Sequence, residues 1–138
     1  MKRKKRPRTK LIESIEKILF QILIHERGRK CEICGARNQR LGLFHILPKG
    51  RYPRLRFYKD NLLIAGWFCC HFHFHHSYYE ARDRIIPRIK ELRGESYEDE
   101  LREKDLVALT LSEDYLKVLK DILTKELEEI EDNWGGKK

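Results

Sequence analysis

The sequence predicts an α+β fold that is mostly α-helical, in which a small metal-bound hairpin region is flanked by helices on both sides. Two observations predict this fold. Residues 31–76 contain all four cysteines and five of the six histidines, among glycines and prolines that suit turns and short strands. The segments before and after repeat apolar side chains every three or four residues, which is the period of an amphipathic helix.

The pattern divides the chain into five parts. They are a basic disordered tail (1–9), an N-terminal helix (10–28), a zinc domain (29–82), a C-terminal helical extension (83–132) and a tail (133–138). Within the zinc domain, residues 41–44 and 61–67 are the expected arms of a hairpin, and the second arm leads into a helix that starts near Cys69 and continues past Glu80.

Local signals set the expected helix boundaries. Thr9 is a predicted N-cap and Gly28 a predicted stop for the first helix. Pro87 predicts a break or kink near Ile86, and Ser112 is a good N-cap for the last helix. That helix carries an apolar stripe suited to a core or to a homodimer seam, formed by Leu116, Leu119, Leu123, Leu127 and Ile130.

The charge is unevenly distributed in a way that indicates a polyanionic partner. The net charge is +8, and seven of the first ten residues are basic. Residues 27–60 hold ten basic side chains and two acids, whereas 95–132 hold fourteen acids and five basic side chains. A positive field on one half of the chain favours nucleic acid. No apolar run reaches the roughly 18 residues of a membrane span, so we expect a cytoplasmic protein.

The cysteines indicate a metal rather than disulfides, which intracellular proteins rarely hold. Residues 31–35 form a Cys-x-x-Cys-Gly turn, which can bind one tetrahedral zinc ion. Residues 69–76 offer six further potential ligands in eight positions. We expect Cys31, Cys34 and Cys70 to bind zinc. The fourth ligand is left open among Cys69, His73, His75 and His76.

Four elements, taken in order, resemble the HNH endonucleases, most closely the zinc-knuckle members from phages and prophages. The elements are Cys31-x-x-Cys34-Gly35, Leu43-Phe44-His45-Ile46-Leu47-Pro48, Asn61-Leu62-Leu63-Ile64 and Cys70-His71-x-x-x-His75. The resemblance covers residues 27–80. It implies a ββα-metal fold around a structural zinc ion, and DNA as the substrate.

The resemblance also implies a role for each matched residue. His45 falls on the general base that activates water, and Asn61 on the asparagine that orients this base and stabilises the loop between the strands. His75 falls on a ligand of the catalytic Mg²⁺ or Mn²⁺, and His71 is a second candidate for that shell. The basic stretch before the asparagine would hold phosphates, through Lys49, Arg51, Arg54 and Arg56.

Phe44 favours an alternative function. The family often has a metal-binding Asp or His at this position, directly before the base, so the alternative is a zinc-stabilised DNA-binding protein of HNH ancestry that does not cut. The alignment of the last element is also open. If Cys70 and His75 are matched to the cysteine and the last histidine of the family motif, one residue must be inserted after Asn61. If Cys69 is matched to that cysteine, no insertion is needed, but Phe74 then stands at the position of the histidine. A third interpretation, an RNA-binding or ribosome-associated zinc protein, explains the basic tail but not His45 and Asn61.

Overall fold

A computed structural model of the chain describes residues 4–105 and 111–135. This part is mostly helical, with one two-stranded antiparallel sheet, as the sequence predicts. The chain divides into two compact units, one formed by Met1–Gly28 with Thr110–Lys138 and the other by Arg29–Leu109. None of the described helices combines the length and the apolar character needed to cross a membrane.

The first unit contains helix α1 (Pro7–Arg27) and helix α6 (Glu113–Gly135), which pack against each other. Helix α1 begins at Pro7, whose fixed φ suits the first turn. Thr9 therefore lies inside the helix, and both the predicted Thr9 cap and the predicted tail boundary at residue 9 are wrong. The stop at Gly28 is confirmed, because this glycine has a φ of 93° that other residues rarely adopt.

The start of α6 also follows the sequence prediction. The Ser112 hydroxyl oxygen accepts a hydrogen bond from the Tyr115 amide at 3.1 Å, which is an N-cap contact. Of the predicted apolar stripe, Leu116 and Leu123 are buried, so this stripe contributes to a core. The helix continues to Gly135, so residues 133–135 are helical where the sequence predicts a tail, and the rest of that predicted tail (136–138) lies outside the described residues.

The second unit is built on a hairpin of strands β1 (Leu41–His45) and β2 (Leu62–Gly66). The strands pair antiparallel, with Leu41 opposite Gly66 at one end and His45 opposite Leu62 at the other. The connection between them contains two 3₁₀ turns, Pro53–Leu55 and Lys59–Asn61. The predicted hairpin is therefore confirmed, and β2 is buried along its whole length.

Strand β2 leads directly into a helical segment, here called the histidine helix, which consists of a π-helical turn (Trp67–His71) and helix α2 (Phe72–His76). It ends at Ser77, whose backbone is extended. A second helical run follows, formed by α3 (Tyr78–Glu80), a π-helical turn (Ala81–Ile85) and α4 (Ile86–Arg93). The predicted uninterrupted helix from Cys69 past Glu80 is therefore wrong.

Of the predicted break or kink near Ile86, the break is wrong because the chain stays helical through Pro87, but a π-helical turn, Ala81–Ile85, interrupts the regular α-helix directly before Ile86. Pro87 lies in the first turn of α4, and the π-helical turn stands directly before it. Proline has no N–H to donate to the carbonyl four residues earlier, as a regular α-helix requires. The wider π-helical turn before Pro87 accommodates the missing hydrogen bond.

The core of the second unit extends beyond the predicted boundary at residue 82. Ile85 and Ile89 are buried in one cluster with Cys31, Phe44 and Cys70. Helix α5 (Tyr97–Asp105) adds Tyr97 and Leu101 to the same cluster. Residues 83–105 therefore belong to the zinc-domain unit, because their apolar faces are buried against the hairpin region.

Candidate metal centre and hairpin loop

Four cysteines converge at the end of the hairpin where Leu41 faces Gly66. The sulfur atoms of Cys31, Cys34, Cys69 and Cys70 all lie within 4.8 Å of one another. Sγ of Cys31 is 3.6 Å from Sγ of Cys69 and 3.6 Å from Sγ of Cys70. Four sulfurs bound to zinc at 2.3 Å in a tetrahedron would lie about 3.8 Å apart, whereas a disulfide is about 2.0 Å. The arrangement fits one tetrahedral metal ion.

The membership of the cluster bears on the ligand that the sequence left open. Both Cys69 and Cys70 belong to it, and His73, His75 and His76 do not. The two adjacent cysteines are carried by the π-helical turn Trp67–His71. The structure thus shows four cysteines grouped so that they could hold a metal ion, and these histidines follow the turn on α2, outside that group.

The first two cysteines lie on a tight turn fixed to the hairpin. Gly35, with a φ of 80°, donates its N–H to the Cys31 carbonyl at 2.8 Å. Glu32 binds strand β2 twice, because its amide donates to the Ile64 carbonyl at 2.8 Å and its carboxylate accepts from the Ile64 amide at 2.6 Å. The knuckle is thereby held against the strand that leads to the other two cysteines.

Gly66, the last residue of β2, is required by the packing of the cluster. A Cβ atom there would lie 2.6 Å from Sγ of Cys69 and 2.5 Å from Oε1 of Gln39. The same Gln39 oxygen accepts the Cys69 amide at 3.0 Å, which fixes the backbone of that cysteine. The sequence pattern around Gly66 gives no sign of this close approach.

The thiols interact strongly with one another. A hydrogen bond from Cys70 lowers the pKa of Cys31 to about 4, and the same bond raises the pKa of Cys70. Burial raises the pKa of Cys69 to about 12. Like charges this close oppose one another, so the cluster on its own favours a single thiolate. A divalent cation would let all four sulfurs ionise, and its binding would release protons.

The positively charged guanidinium of Arg84 lies beside the sulfurs. Its Nη1 donates to Sγ of Cys70 at 3.1 Å, and its Nη2 donates to the Cys69 carbonyl at 2.5 Å. Its Nε donates to Glu80 at 2.6 Å, which holds the guanidinium in position. Outer donors of this kind orient metal ligands and offset the charge of a four-thiolate site. Sequence reasoning missed Arg84, because it lies fourteen residues after the nearest cysteine.

At the opposite end of the hairpin, Asn61 holds the loop between the strands. It is the one fully buried polar side chain in the described part of the chain. Its Oδ1 accepts from the Leu47 amide at 2.8 Å, and its Nδ2 donates to the carbonyls of Leu47 and Leu55 at 3.1 and 3.3 Å. This is the position at which the resemblance places the loop-stabilising asparagine.

His45 ends strand β1 and is half-buried beside the same loop. Its Nε2 lies 3.1 Å from the carbonyl oxygen of Arg56. A carbonyl only accepts, so Nε2 carries the proton in this contact and Nδ1 is the basic nitrogen. The side-chain hydrogen bonds of Asn61 go to Leu47 and Leu55, in the same loop whose Arg56 carbonyl contacts His45.

Phe44 occupies the space next to His71 and His75. It is buried, and its ring centroid lies 5.6 Å from that of His71 and 6.4 Å from that of His75. The two imidazoles are 5.1 Å apart, and burial, with the charges of His75 and Lys49, lowers the pKa of His71. Successive side chains of a strand point to opposite faces, so His45 is directed away from this pair.

The histidine pair has few potential partners for holding a metal. Apart from the four cysteines, no group of three or more His, Cys, Asp or Glu side chains converges in the described ranges. Phe74 packs edge-to-face on Phe44 at 5.0 Å, whereas His75 is exposed. Phe74 therefore faces the core, and His75 lies on the surface.

The basic residues of the loop differ in their surroundings. Lys49 and Arg51 are exposed, and the Arg51 guanidinium lies 5.8 Å from the Tyr52 ring. Arg54 donates to the Asp105 carbonyl at 3.0 Å and thereby ties the loop to α5. Arg56 supplies the carbonyl that His45 binds. Lys49 and Arg51 are therefore the better placed of the predicted phosphate contacts.

No family model, curated protein or solved structure matches the chain. The resemblance to HNH endonucleases therefore depends on the four sequence elements alone.

Proposed function

We propose that this chain is a metal-dependent endonuclease of the HNH type that hydrolyses phosphodiester bonds in DNA, with a structural zinc ion held by its four cysteines. The observation that supports it most is the hydrogen bond between His45 and the Arg56 carbonyl, in a loop that Asn61 clasps. An imidazole held in one tautomer at the end of a strand is suited to act as a general base near neutral pH.

In this proposal His45 removes the proton from the attacking water. The proton passes to Nδ1, while Nε2 continues to donate to the Arg56 carbonyl. That carbonyl stabilises the imidazolium as it forms, and the loop clasp keeps the ring from turning. The water oxygen then forms the new bond to phosphorus as the bond to the leaving oxygen breaks.

The catalytic divalent ion would be held by His75 and His71, which are four residues apart on the histidine helix. Such an ion supplies charge stabilisation to the phosphate and the leaving oxygen. Because Phe44 offers no ligand, water and phosphate oxygens would complete the shell. An imidazole pair without a carboxylate suits Mn²⁺ better than Mg²⁺, so we expect Mn²⁺ to support the higher activity.

DNA is favoured as the substrate by the charge of this region. Ten basic residues against two acids fall between residues 27 and 60, and the exposed Lys49 and Arg51 follow His45 within six residues. Side chains of this kind bind phosphates and set the register of a duplex on a protein.

A second candidate function is DNA binding without cleavage, and Phe44 favours it. This buried ring stands where a metal ligand would be, and strand alternation directs His45 away from the His71–His75 pair. In that case the four-cysteine centre and the basic loop act only as a DNA-binding scaffold.

The test is cleavage of supercoiled plasmid by zinc-loaded protein with Mn²⁺ or Mg²⁺. We expect the unchanged protein to relax the plasmid and His45→Ala to lower the rate by about 100-fold or more, the usual contribution of a general base. His25→Ala, which removes a half-buried imidazole from α1, is the matched control and should cut normally. Zinc content and circular dichroism verify that each variant is folded.

The outcomes separate the two candidates. Equal cutting by His45→Ala and His25→Ala would rule out the proposed base. Binding that weakens steeply with salt, without cleavage in any divalent metal, would establish the non-catalytic alternative.

A further inference from the structure

A recess lies over Gly42, in the middle of strand β1. A Cβ atom at this glycine would meet nothing within 4 Å. The open space has a volume of about 290 Å³ and is lined by Arg40, Leu41, Gly42, Leu43, Trp67 and His71. A glycine inside a strand weakens the strand and often marks a place where a ligand approaches the backbone closely.

The walls of the recess are aromatic and basic. Trp67 is 44% exposed, an unusual state for so large an apolar ring. The His71 ring lies 4.9 Å from the indole, edge to face, and its contact fixes the plane of Trp67. Arg40 adds a positive charge, and no acidic residue lines the space.

The chain segment that begins at Trp67 is rich in exposed aromatic rings. Among the described residues, seven large apolar side chains are exposed, and five of them are aromatic residues between positions 67 and 79. They are Trp67, Phe68, Phe72, Tyr78 and Tyr79. The Arg82 guanidinium lies over the last two rings, at 5.4 and 5.1 Å.

This combination fits one class of ligand better than others. Exposed rings interleaved with cations bind single-stranded nucleic acid, because unstacked bases lie on the rings while the cations follow the phosphates. In a duplex the faces of the bases are covered by neighbouring base pairs, so they cannot stack on exposed aromatic side chains. The absence of acidic lining matches the charge of a polynucleotide.

We propose that the recess over Gly42 binds one unstacked base of single-stranded DNA, stacked on the indole of Trp67, with Arg40 at the neighbouring phosphate. This inference builds on the proposed function and names its substrate class, which is DNA with an unpaired strand. Gly42 is the specificity-determining position, because any side chain there fills the space of the base.

The first measurement uses the fluorescence of Trp67. The chain has two tryptophans, so Trp134→Phe leaves Trp67 as the only reporter. Full-length, zinc-loaded protein is titrated, without a catalytic metal, with an oligodeoxythymidine of about ten nucleotides, a length within the range of single-strand sites. We expect the single strand to quench the emission and a blunt duplex of equal length to leave it unchanged.

The second measurement fills the recess without changing any charge. The series Gly42→Ala, Gly42→Val and Gly42→Leu adds increasing volume at a strand position with ordinary backbone angles and open space. We expect single-strand affinity to fall with side-chain size, by about tenfold for leucine, which corresponds to the loss of one stacked base. Gln21→Leu adds the same side chain to the exposed face of α1 and is the control.

Two results would overturn the inference. One is single-strand affinity and quenching in Gly42→Leu equal to those of Gln21→Leu. The other is a monomer–dimer equilibrium in sedimentation that Trp67→Ala abolishes, because a second copy of the chain would then cover this surface.

The inference and the proposed nuclease function fail separately. Plasmid cleavage that depends on His45, without quenching by the single strand, would reject only the recess. Quenching that Gly42→Leu removes, without cleavage in any metal, would reject only the catalysis.

Discussion

The two ends of the hairpin differ in how completely their side chains determine a chemical site. Where Leu41 faces Gly66, four sulfurs from two separate segments meet at the spacing of a tetrahedral metal. Where His45 faces Leu62, one imidazole is held by one backbone carbonyl, and the neighbouring histidine pair lies beside a buried phenylalanine. The cysteine end therefore brings together four potential ligands of one ion, whereas the loop end brings together one imidazole and one backbone carbonyl.

This difference bears on which end of the hairpin could bind a reacting water. Four thiolates satisfy a zinc ion completely and leave no position for a reacting water, which is the mark of a structural site. The same hydrophobic cluster contains Cys31 and Cys70 from one end and Phe44 and Leu47 from the other. Under the proposed function, a metal bound by the cysteines would stiffen the frame that carries His45, and the reaction would take place at the loop end.

The largest effect is expected from Cys31→Ser. Cys31 is buried and contacts the sulfurs of both Cys69 and Cys70, so its loss should abolish metal binding. Structural zinc contributes about 10–16 kcal/mol, which matches or exceeds the stability of a small domain. We expect zinc to fall from one ion per chain to none and the second unit to lose its cooperative thermal transition in circular dichroism.

The matched controls for this variant are His73→Ala and His76→Ala, which remove potential ligands outside the cysteine cluster. Both should retain one zinc per chain. Loss of zinc in either variant would mean that a histidine completes the site.

Asn61→Ala should destabilise the loop end by an intermediate amount. The side chain satisfies the Leu47 amide and two carbonyls inside the protein, and alanine leaves these groups without partners. Each buried, unsatisfied polar group costs about 1–3 kcal/mol, so we expect a total loss of about 2–4 kcal/mol in urea unfolding, with zinc still bound.

Asn38→Ala removes an exposed asparagine and should change the unfolding free energy by less than about 0.5 kcal/mol. Equal effects of the two substitutions would mean that the Asn61 clasp contributes nothing to stability. The conformation of the loop would then depend on the metal centre and not on Asn61.

The sequence predicts the parts of this fold that local chemistry controls. The hairpin arms follow from short apolar runs between turn residues, the stop at Gly28 from the backbone freedom of glycine, and the cap at Ser112 from a side-chain hydrogen bond. The cysteine pattern likewise predicts a metal site, because two thiolates at the Cys-x-x-Cys spacing can bind one tetrahedral ion.

Features that depend on unusual backbone turns or distant packing were not predicted. No periodic signal reports a π-helical turn, so the entry of both Cys69 and Cys70 into one cluster could not be read from spacing. Arg84 reaches the sulfurs only because the second helical run folds back beside them. The burial of Ile85 and Ile89 against the hairpin region is likewise a tertiary contact, which is why the boundary at residue 82 was wrong.

Gly66→Ala should have the smallest of these effects and tests the rigidity of the cysteine end directly. The added Cβ would stand 2.6 Å from Sγ of Cys69 and 2.5 Å from Oε1 of Gln39, closer than real Cβ contacts. Gln39 can swing away, but the Cys69 amide then loses its acceptor, and the sulfur cannot move without leaving the cluster. Overpacking of this kind costs about 1–3 kcal/mol, so we expect zinc affinity, measured by chelator competition, to fall by about tenfold.

Gly50→Ala adds a methyl group to open space and is the control. Wild-type affinity in Gly66→Ala would show that the cluster relaxes around an extra atom, and the cysteine end would then be no more rigid than the loop end.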